Sequence, residues 1–86
     1  MAEFYYFSAT WCQPCKAFKP VVQQVTGELG IPVQYIDVDN SPELTQRFGI
    51  TSVPTIVVAQ NGQPVYRSVG VISKPQLATA LGQFRG

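Results

Sequence analysis

Several residue types that build common functional sites are scarce in this chain. It has no histidine and only two cysteines among 86 residues. A structural zinc ion usually takes four side-chain ligands, mostly cysteine and histidine. The chain cannot complete such a site from these residues alone, and a metal ion would need a second subunit or carboxylates such as Asp37 and Asp39.

Charge is also sparse, since six Lys and Arg against five Asp and Glu leave a formal net charge of +1. Nucleic acids and anionic lipids attract clustered basic residues, whereas those of this chain are scattered. No apolar run approaches the roughly 18 residues of a membrane span, and the N-terminus lacks the basic and apolar regions of a secretory signal. We therefore expect a cytoplasmic protein with no nucleic-acid or membrane partner.

What remains is the composition of one small folded domain. The chain is 45% hydrophobic and 13% charged, which is far from the composition of disordered segments. A chain of this length buries only somewhat more than about 60% of its unfolded surface and cannot support two cores. We expect a single domain over residues 1–86.

Hydrophobic spacing predicts the order of the secondary structure. Short runs of β-branched and aromatic residues are typical of strands. Phe18, Val22 and Val25 fall at helical spacing around Pro20, which should kink the helix without ending it. The predicted strands cover residues 4–8, 33–38, 55–59 and 64–69, and the predicted helices run from Cys12 to about Thr26, from 44 to 48, and onward from Ser73.

Turn and cap signals connect these elements. Asn61-Gly62 suits the positive φ angles of a tight hairpin, Ser73 with Gln76 makes a capping box, and Asn40 or Ser41 can cap the second helix. The helix between the first two strands is long enough for a right-handed parallel crossover. The order β-α-β-α-β-β-α therefore predicts an α/β fold, a four-stranded mixed sheet with helices on both faces.

Both cysteines lie where the first strand gives way to the first helix. Unpaired backbone N–H groups and the helix dipole favour a thiolate at Cys12, with a pKa below the free value of about 8.5. Cys15 lies one turn further on nearly the same face, within reach of a mixed disulfide formed at Cys12. Pro14 fixes φ in the first turn, Lys16 adds positive charge, and Trp11 offers a contacting protein an apolar body with a polar N–H.

Other roles that involve no redox reaction are also open for these residues at this point. A structural disulfide across two residues would gain little entropy from so small a loop, and disulfides are rare in the cytosol. A zinc or iron–sulfur site shared between subunits is another alternative. Trp11 could instead be an ordinary core residue, and Lys16 a solvated residue of the helix surface.

The segment Trp11-Cys12-Gln13-Pro14-Cys15-Lys16 resembles the active site of the thioredoxin family, which reads Trp-Cys-Gly-Pro-Cys-Lys. Pro20, Val53-Pro54-Thr55, Asn61-Gly62 and Val69-Gly70 match, in order, the family's helix-kinking proline, cis-proline segment, hairpin and site glycine. The resemblance extends almost to the C-terminus and implies the thioredoxin-like fold.

The resemblance also implies a role for each matching residue. Cys12 and Cys15 would be the catalytic pair of a protein-disulfide reductase. The Val53-Pro54 bond would be cis, although the residues alone make Pro54 an ordinary proline at a strand start, and the Val53 backbone would pair with an extended client segment. The implied supporting residues are Trp11, Gln13, Pro14, Lys16 and Pro54, and the implied client-binding residues are Trp11, Val53, Pro54, Thr55, Gly70 and Val71.

Three departures from the family pattern stand out. The match begins at the family's second strand, so the sequence resembles short members that lack the N-terminal strand and helix, and residues 4–8 should lie nearer a sheet edge. Tyr6 stands where the family keeps a buried aspartate below the second cysteine, and Tyr35 replaces the lysine that partners it. Gln13 replaces the glycine of the motif, a position that influences the reduction potential.

The resemblance implies no bound cofactor besides a redox-active Cys12–Cys15 disulfide. The expected partners are disulfide-containing client proteins and an external reductant, an NADPH-dependent thioredoxin reductase, and we expect a monomer. One alternative is a glutaredoxin-like enzyme coupled to glutathione, although the motif is not of the Cys-Pro-Tyr-Cys type and no basic cluster for the carboxylates of glutathione surrounds Cys12. Another is a non-catalytic interaction subunit with the same fold.

Overall fold

Seven elements follow one another in the predicted order in a computed structural model that describes residues 2–84. The first strand begins two residues earlier than predicted, and the second ends one residue earlier. The elements are β1 (Ala2–Ser8), α1 (Gln13–Leu29), β2 (Val33–Asp37), α2 (Pro42–Arg47), β3 (Thr55–Gln60), β4 (Gln63–Val69) and α3 (Lys74–Gly82).

The strands form one mixed sheet in the order β2-β1-β3-β4. β1 is parallel to β2 and antiparallel to β3, and β3 is antiparallel to β4. Ser8 at the end of β1 lies opposite Asp37 at the end of β2, and the Val38 N–H donates to the Ser8 carbonyl at 2.9 Å. The chain segments that leave these two strands therefore meet at one end of the sheet, with β1 one strand in from the edge.

Alternate residues of β1 pack on opposite faces of the sheet. Phe4 and Tyr6 pack with buried residues of α1 and α3, whereas Tyr5 and Phe7 pack with Phe48, just after α2. This confirms the prediction of helices on both faces. The cluster of buried residues on the α1 and α3 side of the sheet contains Phe4, Tyr6, Phe18, Val22, Val25, Ile31, Ile56, Val58, Leu77 and Leu81.

Helix α1 continues through Pro20 and runs further than predicted, to Leu29. Gly27 lies inside the helix, although glycine often marks a helix end. Burial of Val25 and the packing of Leu29 against the core offset the weak helix propensity of that glycine. The helix ends at Gly30, whose φ of 68° is the left-handed conformation that glycine adopts most readily.

The connections around α2 and the hairpin show one difference from prediction. Ser41 is the N-cap of α2, but its side chain makes no capping bond, because its backbone departs from the extended conformation that aims such a side chain at the helix. At the other end of α2 the Arg67 guanidinium donates to the carbonyls of Phe48 and Gly49. The hairpin is as predicted, with positive φ at both Asn61 and Gly62.

The capping box at the start of α3 is confirmed. The Gln76 N–H donates to the Ser73 hydroxyl at 3.3 Å, and the Ser73 N–H donates to the Gln76 side-chain oxygen at 3.1 Å. These bonds satisfy two backbone donors at an exposed helix end. They stabilise the start of α3, whose Leu77 and Leu81 pack against the sheet.

We predict that Ser73→Ala lowers the free energy of unfolding by about 1 kcal/mol, the usual loss for a capping hydroxyl. Urea titration followed by circular dichroism measures the difference. Thr79→Ala, at an exposed position of the same helix, is the matched control and should leave the midpoint unchanged or slightly raised. An equal loss in both variants would contradict a specific role for the cap.

Candidate active site

Cys12 and Cys15 are joined by a disulfide at the start of α1, with their Cα atoms 5.3 Å apart. Both are nearly buried, with 5% and 2% of their surfaces exposed. Ala9 packs with them, and Val38 and Val53 border this cluster. The disulfide is therefore reached from one restricted patch of surface.

The Cys12 sulfur occupies the N-cap position of the helix. Cys12 has an extended backbone, and its Sγ accepts a hydrogen bond from the Cys15 N–H at 3.2 Å. Serine and aspartate oxygens usually fill this position, where unpaired N–H groups and the helix dipole stabilise negative charge. The environment of Cys12 therefore favours a thiolate when the disulfide is reduced.

A second segment faces Cys12 from the start of β3. The Val53 carbonyl oxygen lies 4.0 Å from the Cys12 sulfur, and the Val53-Pro54 peptide bond is cis. The Gly70 N–H donates to the Pro54 carbonyl at 2.8 Å, which ties the end of β4 to this segment. Ala9, Val38 and Val53 thus surround the disulfide, and Gly70 contacts the segment that contains Val53.

Trp11 is a surface residue. Its side chain is 67% exposed, so the interpretation of Trp11 as a core residue is wrong. The indole N–H donates to an Asp39 carboxylate oxygen at 3.0 Å, an interaction that we did not anticipate. Parallel pairing of β1 with β2 indicates that Trp11 and Asp39 lie near each other, since parallel strands place the residues that follow them at the same end of the sheet.

The other expected site residues differ in their exposure. Gln13, Pro14, Lys16 and Val71 are exposed, Val53 and Gly70 are half-buried, and Pro54 is buried. Thr55 is buried too, and its hydroxyl donates to the Ser52 carbonyl at 2.8 Å. The Thr55 side chain therefore braces the Ser52 to Pro54 loop from within, and the assignment of this residue to client contact stays a prediction.

Two depressions flank the disulfide. One, of about 140 Å³, lies beside Trp11 and Val53 and is lined further by Val38, Thr45, Ile50, Thr51 and Ser52. The other is a groove of about 500 Å³ that has Cys15 in its wall, together with Ser8, Ala9, Thr10, Lys16, Lys19, Tyr35, Ile36 and Asp37. The first adjoins the exposed tryptophan, and the second gives access to the surroundings of the second cysteine.

Tyr6 lies beneath the second cysteine and has no exposed surface. Its hydroxyl donates to the Cys15 carbonyl at 2.7 Å. Burial, with a smaller contribution from Tyr35, raises the pKa of Tyr6 to about 12, so the hydroxyl stays neutral at physiological pH. The Lys19 ammonium lies over the Tyr35 ring, 5.1 Å from its centre.

Among residues 2–84 there is no group of three or more His, Cys, Asp and Glu side chains arranged to hold a metal ion. Asp37 and Asp39, the carboxylates considered for such a site, take part in other contacts. Asp37 accepts a hydrogen bond from the Asp39 N–H at 2.9 Å, and Asp39 accepts the bond from Trp11. Within the same range, no helix combines the length and apolar character needed to cross a membrane.

The sequence model of the thioredoxin family matches residues 3–83. The chain belongs to the thioredoxin family. The match covers most of β1 and every later strand and helix to the end of α3. The resemblance noted at the cysteine motif therefore extends over nearly all of the described fold.

Individual relatives support the assignment. The chain is 40% identical over 77 residues to the thioredoxin of Mycobacterium bovis, a match that covers 87% of this chain and 66% of that protein. It is 42% identical over 73 residues to the bifunctional thioredoxin reductase/thioredoxin of Mycobacterium leprae, which covers 83% of this chain and 16% of that protein. The chain thus spans less than two thirds of the length of either relative.

Solved structures agree with the fold. A point mutant of the thioredoxin from Halobacterium salinarum NRC-1 superposes with a TM-score of 0.89 at 29% identity, covering 99% of this chain and 75% of that one. The predicted thioredoxin-like fold is confirmed.

We predict that the buried Tyr6 makes the fold sensitive to alkali. Because the unfolded tyrosine loses its proton near pH 10 while the folded one keeps it to about 12, the free energy of unfolding should fall as pH rises between these values. The loss from this group is on the order of 2 kcal/mol. Urea titrations at pH 9 and above pH 11 measure it.

Tyr6→Phe is the informative comparison, because lysines and the other tyrosines also titrate in this range. The variant should be less stable than the parent chain at pH 9 and lose less stability on going to alkali. Equal losses in the two proteins would show that Tyr6 does not contribute to the alkaline transition.

Proposed function

We propose that this chain is a thiol-disulfide oxidoreductase that reduces disulfides in client proteins. The observation that carries the proposal is the position of the Cys12 sulfur. It caps a helix N-terminus, accepts the Cys15 N–H at 3.2 Å, and lies 4.0 Å from the Val53 carbonyl. A nucleophilic sulfur is thereby placed beside a backbone acceptor that an extended client segment can pair with.

The reaction follows from the two cysteines. The reduced Cys12 thiolate attacks one sulfur of the client disulfide, forming a mixed disulfide and releasing the other client sulfur as a thiolate. Cys15 then loses its proton and attacks the Cys12 sulfur. The Cys12–Cys15 disulfide forms, the second client sulfur leaves, and two electrons have passed to the client.

The client would lie across Trp11, Val53, Gly70 and Val71. Trp11 presents a large apolar surface whose orientation is fixed by the bond to Asp39, and aromatic side chains of this kind are typical of protein contacts. The pocket of about 140 Å³ between Trp11 and Val53 has room for one client side chain. The shallow site suits clients that differ in sequence, since much of the recognition is by backbone.

A reductase must restore the dithiol after each cycle, because each turnover leaves the cysteine pair oxidised. We propose an NADPH-dependent thioredoxin reductase as that partner. The name of the Mycobacterium leprae relative couples a thioredoxin reductase with a thioredoxin in one protein, which supports this choice of electron donor.

We predict that Cys12→Ser abolishes reduction of a protein disulfide, because serine cannot form the mixed disulfide. Cys15→Ser should instead accumulate a covalent complex with the client, since the second attack is lost. Insulin reduction measures the activity, and non-reducing electrophoresis with mass spectrometry detects the complex.

The double variant Cys12→Ser/Cys15→Ser is the control and should form no complex. Full activity in Cys12→Ser would refute the proposed role of that sulfur. Partner binding that survives in the double variant, together with no reductase activity in the parent chain, would favour the non-catalytic interaction subunit.

We predict a reduction potential of about −270 mV, the thioredoxin range. Equilibration with dithiol and glutathione redox buffers, followed by thiol labelling, measures it, and Gln13→Gly tests the contribution of the motif residue. A value around −200 mV or above, with efficient reduction by glutathione alone, would favour the glutaredoxin-like alternative.

A further inference from the structure

The hydrogen bond between Tyr6 and Cys15 joins the sheet to the reactive turn. The Tyr6 hydroxyl donates to the backbone carbonyl of Cys15 at 2.7 Å, in a buried environment. The cysteine carbonyl lies in the first turn of α1, and the Lys16 N–H donates to the Cys12 carbonyl within the same turn. A group fixed in the sheet thus contacts the backbone that carries the second sulfur.

The Tyr6 ring is held on several sides. The ring centre of Phe18 lies 6.0 Å away and that of Tyr35 lies 5.8 Å away in an edge-to-face arrangement. The Tyr6 backbone is also paired with Ile56 of β3 and Tyr35 of β2. The hydroxyl is therefore a rigid anchor, because neither the ring nor the strand can move without disturbing the core.

Attack of one side chain on another depends on how well their separation is fixed before reaction. In the mixed disulfide, the Cys12 sulfur is bonded to the client and Cys15 is free. A donor that holds the Cys15 backbone in place at this stage would keep the Cys15 sulfur facing Cys12.

We propose that Tyr6 is a positioning residue for the resolving step, an inference that rests on the proposed oxidoreductase function. In this step the Cys15 thiol gives its proton to solvent in the adjoining groove, and its thiolate attacks the Cys12 sulfur. The Cys12–Cys15 bond forms as the bond from Cys12 to the client sulfur breaks, and the client leaves as a thiolate. The cysteine pair is oxidised and the client is reduced.

Tyr6 acts through geometry in this step and not as a proton acceptor. Its raised pKa keeps the hydroxyl protonated, so it donates to the Cys15 carbonyl throughout the working pH range. The groove of about 500 Å³ with Cys15 in its wall is large enough for several water molecules, which can receive the thiol proton.

The test separates the first attack from the resolving step. Reduced protein is mixed with one equivalent of dithiobis(nitrobenzoate), and stopped-flow absorbance follows release of the coloured thiol. Attack by Cys12 releases the first equivalent, and the subsequent attack by Cys15 releases the second. Cys15→Ser, which should release only the first, assigns the two phases.

We expect Tyr6→Phe to slow the second phase about three- to tenfold, the range for loss of one buried hydrogen bond, and to leave the first phase unchanged. Tyr5→Phe is the matched control, because Tyr5 is the neighbouring buried tyrosine and packs on the opposite face of the sheet. Its two phases should equal those of the parent chain. Circular dichroism and thermal unfolding of all variants report their stability.

A second readout is the equilibrium between dithiol and disulfide. In Tyr6→Phe, looser positioning of Cys15 should lower the equilibrium constant for forming the Cys12–Cys15 disulfide about three- to tenfold. This corresponds to a reduction potential that is about 14 to 30 mV more positive. A purely structural hydroxyl would destabilise both redox forms alike and leave the potential unchanged.

The outcomes are distinct. Unchanged second-phase rate and potential in a folded Tyr6→Phe would overturn the role of Tyr6, as would equal slowing in Tyr5→Phe. Absence of any thiol release by the parent chain would instead refute the proposed function itself.

Discussion

Burial of β1 on both faces is the constraint on which the rest of the molecule depends. β1 lies between β2 and β3 with helices on each side, so its residues must be apolar or fully hydrogen-bonded in both directions. Aromatic rings meet this demand for the whole central stretch of the strand. Because β1 is held in place on both faces, the turn that follows it, and with it the Cys12 sulfur, has one defined position.

Parallel pairing then decides what surrounds that sulfur. Since β1 and β2 end at the same end of the sheet, Asp39 after β2 can hold the indole of Trp11 after β1. The antiparallel neighbour β3 begins at the same end, which brings Val53 to Cys12. The arrangement of the site follows from the direction of three strands, and the individual contacts need only short loops.

Much of this structure could be predicted from short segments of the sequence. Element order, the α3 capping box and the hairpin follow from spacing and from residues with strong backbone preferences, such as Asn61-Gly62. Parallel pairing places Trp11 and Asp39 at the same end of the sheet. The bond between them, and the bond of Tyr6 to Cys15, also depend on strand register and side-chain direction, which the sequence alone does not give. The hydrogen bonds of the Ser41 and Thr55 hydroxyls could not be predicted for the same reason, because loop geometry determines them and residue type does not.

The Cys12 sulfur caps the helix that carries it, and in the proposed function the same atom would exchange electrons with the client. A thiolate, a thiol and a disulfide sulfur differ in their strength as hydrogen-bond acceptors, so each redox state gives the first turn of α1 a different local unfolding free energy. By linkage, whatever orders or frays that turn changes the affinity of the pair for electrons. The redox equilibrium of the cysteine pair and the local folding equilibrium of the first turn of α1 are thus thermodynamically coupled.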